Sequence, residues 1–235
     1  MSTRTTPYAI DKALLSELVR GAQKTFENAE TLFREASVLR EAGFLSRAYC
    51  LHQISLEECA KIEILGWHAT SMFMGHKADF GKLRKNLESH AYKNRTNAYF
   101  LERSEEEEAA IQSGDFEGAA EAFSQMQREF HSKANIAKSA SLYVDFTDGK
   151  FVAPNERIKP EMVAEIATLN DRFLRVGFSG LERLQMYETN PEKIYKLLNG
   201  FDKRLLELKD EHPNDPVRAL NTFLQEMLER MRSPD

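Results

Sequence analysis

The chain is poor in several residue types and motifs. Its 235 residues include two cysteines, one tryptophan and seven prolines. It has no CxxC pair, no Gly-rich phosphate loop, no G-x-S-x-G and no H-E-x-x-H. These absences argue against zinc ribbons, P-loop nucleotide hydrolysis, nucleophile-elbow hydrolysis and zincin proteolysis. There is also no Glu-x-x-His, which a carboxylate-bridged di-iron bundle needs on facing helices. No metal and no cofactor is therefore expected.

Long apolar runs are missing too. None approaches the roughly 20 residues that cross a bilayer. The segment Met1 to Ile10 lacks the apolar stretch of a secretion signal. The expectation is a cytoplasmic protein with no membrane partner. Cys50 and Cys59 lie nine apart on one expected helix, which places their Cα atoms about 13 Å from each other. A disulfide needs less than about 7 Å, so both are expected as reduced thiols. The net charge is −5, which gives no global support for nucleic-acid binding through phosphate neutralisation.

What is present is a globular composition, 42% apolar and 29% charged, patterned as helices. Leu15, Leu18, Ala22, Phe26, Ala29, Phe33, Ala36 and Leu39 recur at three- and four-residue steps. They predict a helix over 11–41, stopped by Gly43. A second helix, 44–74, is apolar on several sides and should be central. It nevertheless carries Glu57, Glu58 and Lys61 at its middle. A third is predicted over 79–110, and a fourth from an Asp115 N-cap to Leu142. Tyr143 to Val152 alternates and contains Asp148-Gly149, a hairpin signal. Such a hairpin is marginal alone and should pack on the helices, at a bundle edge or an interface. Helices over 159–187, 192–208 and 216–231 complete the chain. The fold class is all-α: a single domain of about seven helices with one small β-hairpin near 143–152. Its core bundle is expected over about 11–145, followed by C-terminal helices over 159–235.

One stretch stands out against the negative total. Lys77 to Arg95 holds six Lys or Arg against Asp79 and Glu88, a local charge of +4. A charge run of this kind is either a solvated face or an anion site. Within it lies Arg84-Lys85-Asn86-Leu87-Glu88-Ser89-His90. On a continuous helix Arg84 and His90 lie on nearly the same side, and Lys93 shares the face of His90. An imidazole can move a proton at neutral pH, and a guanidinium or ammonium can hold a phosphate. Together they could cleave RNA without a metal, the base activating a ribose 2′-hydroxyl. Spacing alone decides nothing, because Arg47 and His52 have a similar one. With 17 arginines and six histidines, chance supplies about one such pair. Context separates the two: His52 falls in the apolar second helix and reads as core. Glu57 or Glu58 can pair with Lys61 along the helix, or Glu58 and Lys61 can face His90 and Arg84 and orient them.

Further residues carry a family resemblance. Asn28-Ala29 with Leu32, Leu39 to Gly43, Arg47-Ala48 and Glu57-Glu58-x-x-Lys61 resemble the opening helices of the AbiV family of abortive infection proteins. Ser89-His90-x-x-Lys93 resembles that family's His-x-x-Lys segment. Ser141 to Phe146, Asp148-Gly149 and Pro154 resemble its downstream hairpin. The likeness covers roughly residues 20 to 180. That family is similar to the HEPN superfamily of helical domains, many of which are metal-independent ribonucleases with an Arg-x(4–6)-His motif. These work as dimers that bring two motifs together. The resemblance implies an antiphage effector that halts growth or translation of the infected cell. It implies RNA as substrate, a homodimer and a phage-encoded protein trigger. It assigns catalysis to Arg84, His90 and Lys93, with Glu57, Glu58, Lys61 and Asn86 in support. Lys85 stands where many catalytic members have Asn, Asp or His, and Asn86 comes one position later. The alternative is a non-catalytic protein of the same fold that blocks a phage or translation component by occupancy.

Overall fold

The computed structural model describes residues 10–212 together with 219, 222, 223, 225–227 and 229. Three long helices form the centre: α1 (Lys12–Glu41), α2 (Leu45–Phe73) and α8 (Pro160–Thr189). Between α2 and α8 the chain makes α3 (Phe80–Glu88), α4 (His90–Ala98), α5 (Glu105–Ser113) and α6 (Phe116–Leu142). Strands β1 (Asp145–Thr147) and β2 (Lys150–Val152) and the short α7 (Pro154–Arg157) follow α6. Beyond α8 come α9 (Pro191–Leu198) and α10 (Phe201–Glu211). The protein is all-α apart from the two short strands.

Helix α2 is the hub, with 19 of its 29 residues buried. It packs on α1, α8, α4 and α6. Leu15, Leu18 and Ala22 of α1 meet Ile62, Leu65 and Phe73 of α2 and Leu181 and Leu184 of α8 in one apolar cluster. A second cluster joins Ala29, Leu56, Cys59, Val163 and Phe173, further along the same helices, with Ala140 of α6. Contact between α2 and α8 is close. A Cβ on Gly177 would stand 3.1 Å from Ile62 Cδ1, and one on Gly180 would collide with Glu63 Oε1. Both cysteines are buried and free. Burial pushes the Cys59 thiol up to about 12, so it stays protonated.

The structure divides the elements more finely than the periodicity does. The single helix expected over 79–110 is three helices. Ser89 is extended, with ψ 112°, and its side chain accepts from the Tyr92 N–H to start α4. A serine competes for backbone donors and favours an N-cap over a helix interior. Ser104 does the same for α5, accepting from the Glu107 N–H. The helix expected over 192–208 is split into α9 and α10 at Asn199-Gly200. Asp115 caps α6 as expected, its Oδ1 accepting from the Gly118 N–H at 2.9 Å. Most of the helix expected over 216–231 lies outside the described residues.

The hairpin forms where Asp148-Gly149 places it. Both turn residues have positive φ, 53° and 77°, as a type I′ turn requires. Its expected packing on the helices is not what the chain shows for its aromatics. Phe146 and Phe151 face each other across the strands at 5.0 Å and stay 64% and 76% exposed. An ion pair from Arg157 to Asp145 ties the first strand to α7.

Candidate functional site: a buried glutamate held by three cations

The expected site residues do not all meet. The stripe of Arg84, His90 and Lys93 requires one continuous helix, and the break at Ser89 removes it. Arg84 stays on α3, its side chain 80% exposed and paired with Glu88 on the same helix at 2.8 Å. Glu58 does not face His90. It forms an ion pair with Lys61 one turn along α2, the intrahelical alternative. Asn86 lines a separate cleft on the α3 side of α2.

The residues that do converge are Glu57 of α2, His90 and Lys93 of α4, and Lys138 of α6. Glu57 is buried in the bundle. Its Oε2 lies 2.5 Å from His90 Nδ1 and 3.0 Å from Lys93 Nζ. Its Oε1 lies 2.6 Å from Lys138 Nζ. Burial alone would raise the Glu57 carboxyl. Hydrogen bonds from Lys138, His90 and Lys93 outweigh that and hold it below its ordinary range. It is therefore a carboxylate at neutral pH. As a carboxylate it only accepts, so His90 Nδ1 carries the proton of their bond. In the neutral imidazole this makes Nε2 the ring nitrogen with the lone pair. The His90 side chain is 59% exposed, so this nitrogen belongs to the part of the cluster that opens to solvent. Lys138 Nζ also lies 3.3 Å from Nδ1. Both are donors in this arrangement, so that approach is juxtaposition without a bond.

The local sequence explains the placement. Ser89 ends α3 and makes His90 the first residue of α4, with Lys93 one turn later on the same face. Helix α4 is polar but sits inside, with Lys93, Asn94, Thr96, Asn97 and Ala98 buried. Asn97 Nδ2 donates to the Leu56 carbonyl of α2 at 2.8 Å, fixing α4 against the glutamate. Asn94 pairs with His131 of α6 at 3.2 Å. These bonds tie α2, α4 and α6 together around one negative charge.

Lys138 is the member of the cluster that sequence reasoning missed. Ala134, Ala140 and Ser141 are buried on α6, and Lys138 is the cation among them. A lysine set in a stripe of small buried residues is the signal that could have found it. At the second Arg/His pair, Arg47 Nη1 donates to the Ser141 and Leu142 carbonyls at the end of α6. His52 is fully buried, hydrogen-bonded through Nδ1 to Asn170, and pushed down to about 4 by burial and by Arg40. It is a neutral core histidine, as its context implied.

Fold and site together define a helical bundle with one ionised carboxylate organising an open imidazole and two ammonium groups. The chain belongs to the AbiV family of HEPN-type proteins, whose family model matches residues 17–175. All four cluster residues lie inside that match, whereas α9 and α10 lie beyond it. The uncharacterized protein y4gJ of Sinorhizobium fredii (strain NBRC 101917 / NGR234) is similar, with 50% identity over 99 residues. That alignment covers 42% of this chain and 52% of y4gJ, so the chain spans about half the length of the curated relative it matches. No solved structure matches the chain. Among the described residues, no helix is long and apolar enough to cross a membrane.

Proposed function

We propose that this AbiV-family chain is an abortive-infection effector that cleaves RNA without a metal, and that His90 is its general base. The observation that carries this reading is the His90 Nδ1–Glu57 Oε2 contact of 2.5 Å on a side chain that is 59% exposed. A buried carboxylate fixes the tautomer and leaves Nε2 ready to take a proton. In the reaction Nε2 removes the proton of a ribose 2′-hydroxyl. The 2′-oxygen attacks the adjacent phosphorus, and the P–O5′ bond breaks. The products are a 2′,3′-cyclic phosphate and a 5′-hydroxyl, the latter protonated by an imidazolium. Lys138, at the edge of the cluster, stabilises the charge that builds on the phosphoryl oxygens. Lys93, buried against Glu57, is a positioning residue.

A second copy of the chain belongs to this reading. One cluster offers one imidazole, and in-line cleavage uses a base and an acid. Two-fold pairing supplies both, and it is the commonest oligomer symmetry. Arg84, exposed and paired among the described residues with Glu88 of its own helix, can serve across such an interface. The trigger under this reading is a phage-encoded protein.

The test is incubation of the purified chain with tRNA and mRNA in EDTA, beside His90→Ala. The expected result is cleavage to cyclic-phosphate ends by the parent chain and none by the variant. Equal cleavage by both, or by neither, overturns the enzyme. The position of Arg84 outside the cluster favours a second reading, a binding protein that arrests growth by occupancy. In that case His90→Ala keeps its growth arrest in cells.

A further inference from the structure

Two turns along α2 from Glu57, the same helical stripe enters a cleft of about 480 Å3. Ile64, His68 and Ser71 lie seven, eleven and fourteen residues beyond the glutamate, on one face of the helix. The connection after α2, α3 and the start of α4 make the remaining walls. We infer that this cleft binds one unpaired nucleotide of a single-stranded RNA, its base in the cleft and its phosphate on Lys77 and Lys82. The inference rests on the ribonuclease reading only for the name of the substrate, since the cleft itself is separate from the cluster.

Four observations support it. The first is size, because the volume falls in the range of small-ligand clefts. The second is the wall chemistry. Trp67 and Tyr92 supply aromatic surface, and Ile64 and Leu83 supply apolar surface, which suits a planar base. Trp67 is 39% exposed, although one edge of its environment is closed by Tyr99. The third is an unused polar atom. His68 Nε2 is buried without a hydrogen-bond partner, and burial holds the ring below its usual range, hence neutral. The neutral His68 ring, Ser71 and the Asn86 amide share the lining and supply the polar groups that read the edge of a base. The fourth is charge. Lys77 and Lys82 are exposed and form no ion pair among the described residues. The carboxylate of Asp79 is partly engaged, its Oδ1 accepting from the Lys82 N–H at 2.8 Å. His76 is already paired with Asp202 at 2.6 Å.

The cleft is also placed to serve the cluster. Seven residues of α2 separate Glu57 from Ile64, about 10 Å along the axis. Tyr92 in the cleft wall stands between His90 and Lys93 in the sequence of α4. A nucleotide held here directs the adjoining backbone toward His90, which gives a reason for Asn86 and the basic segment to matter even though Arg84 lies elsewhere.

Trp67 is the only tryptophan in the chain, so its fluorescence reports on the cleft directly. The experiment titrates the full-length His90→Ala chain with AMP, CMP, GMP, UMP, a single-stranded RNA hexamer and inorganic phosphate, at fixed ionic strength. The expected result is a saturable change in Trp67 emission with the hexamer and with at least one mononucleotide. Inorganic phosphate should need at least about tenfold more ligand. Lys77→Glu with Lys82→Glu should raise the midpoint at least about tenfold, as loss of two phosphate contacts implies. Lys150→Glu, on the hairpin, should leave the midpoint unchanged. A flat signal with every probe, an unshifted midpoint in the double variant, or phosphate acting as well as a nucleotide overturns the cleft. Those failures leave the ribonuclease reading standing if the parent chain cleaves RNA. A charge-dependent response, with a parent chain that cleaves no RNA, keeps the cleft and overturns the ribonuclease.

Discussion

Glu57 and Glu63 sit six residues apart on α2, with side chains only 4% and 5% exposed. Glu63 meets one guanidinium, Arg183 of α8, at 2.7 Å. Gly180 lets α8 approach that pair, and the arrangement balances charge for charge. Glu57 meets two ammonium groups and an imidazole. One buried negative charge thus faces two permanent positive ones, with a histidine beside them. A balanced buried pair is a packing solution. A surplus of cations around a buried carboxylate is the electrostatic form of a site that can take up an anion.

The comparison can be broken by experiment. The largest effect is expected from Glu57→Gln, which leaves buried Lys93 without its counter-charge. Removing one partner from a buried ionic cluster costs about 3–5 kcal/mol. Urea unfolding should show that loss, and RNA cleavage should disappear with it. Glu63→Gln should cost less, about 1–3 kcal/mol, because Arg183 is 38% exposed and can rehydrate. Cleavage per folded molecule should be unchanged. Equal losses of stability and activity in the two variants would erase the distinction.

The next effect is in pH. His52 is pushed down to about 4 from 6.5, so the unfolded chain binds its proton more readily. Stability is complete above about pH 6.5 and falls as the pH drops toward 4, by about 2–3 kcal/mol. His68, also held below its usual range, adds in the same direction. Glu57 has the carboxylate pattern. Its contribution is complete above about pH 4.5 and is lost as the pH falls further toward the lowered folded value. Urea midpoints should therefore decline from pH 6.5, then more steeply below 4.5, and Glu57→Gln should flatten the second decline. A profile level from pH 6.5 to 4.5 would refute the buried neutral histidine.

Gly180→Ala should cost about 1–3 kcal/mol, since the new Cβ meets Glu63 Oε1 and must displace it. Thermal unfolding reads this. The smallest effect belongs to Arg84→Ala, which should leave the thermal midpoint unchanged, because its ion pair with Glu88 is exposed. If Arg84→Ala nonetheless abolishes cleavage in a stable, dimeric chain, the guanidinium acts in the neighbouring subunit.

Much of the fold was legible because long helices with one apolar stripe announce themselves. The stripe from Leu15 to Ala36, the all-round apolar character of α2 and the Asp148-Gly149 turn each survive in the structure. The break at Ser89 was not legible from periodicity. Nothing in a hydrophobic pattern marks a helix made of His90, Lys93, Asn94 and Asn97 as an interior one. The site was half legible for the same reason. The pattern points to His90, Lys93 and Glu57, but it sets Arg84 beside them only on one unbroken helix, and it leaves open whether Glu58 faces His90 or pairs with Lys61.

Residue pattern therefore settled the class, an all-helical bundle with charges set in its central helix, because local periodicity and capping act within a few residues. It could not settle which acid turns inward, since Glu57 and Glu58 are neighbours pointing about 100° apart on the same helix. Only the packing of α4 and α6 against α2 chose Glu57 and brought Lys138 to it from 81 residues away. Buried charge is stabilised by whatever partners the three-dimensional assembly brings within hydrogen-bond reach, and sequence distance carries no record of that.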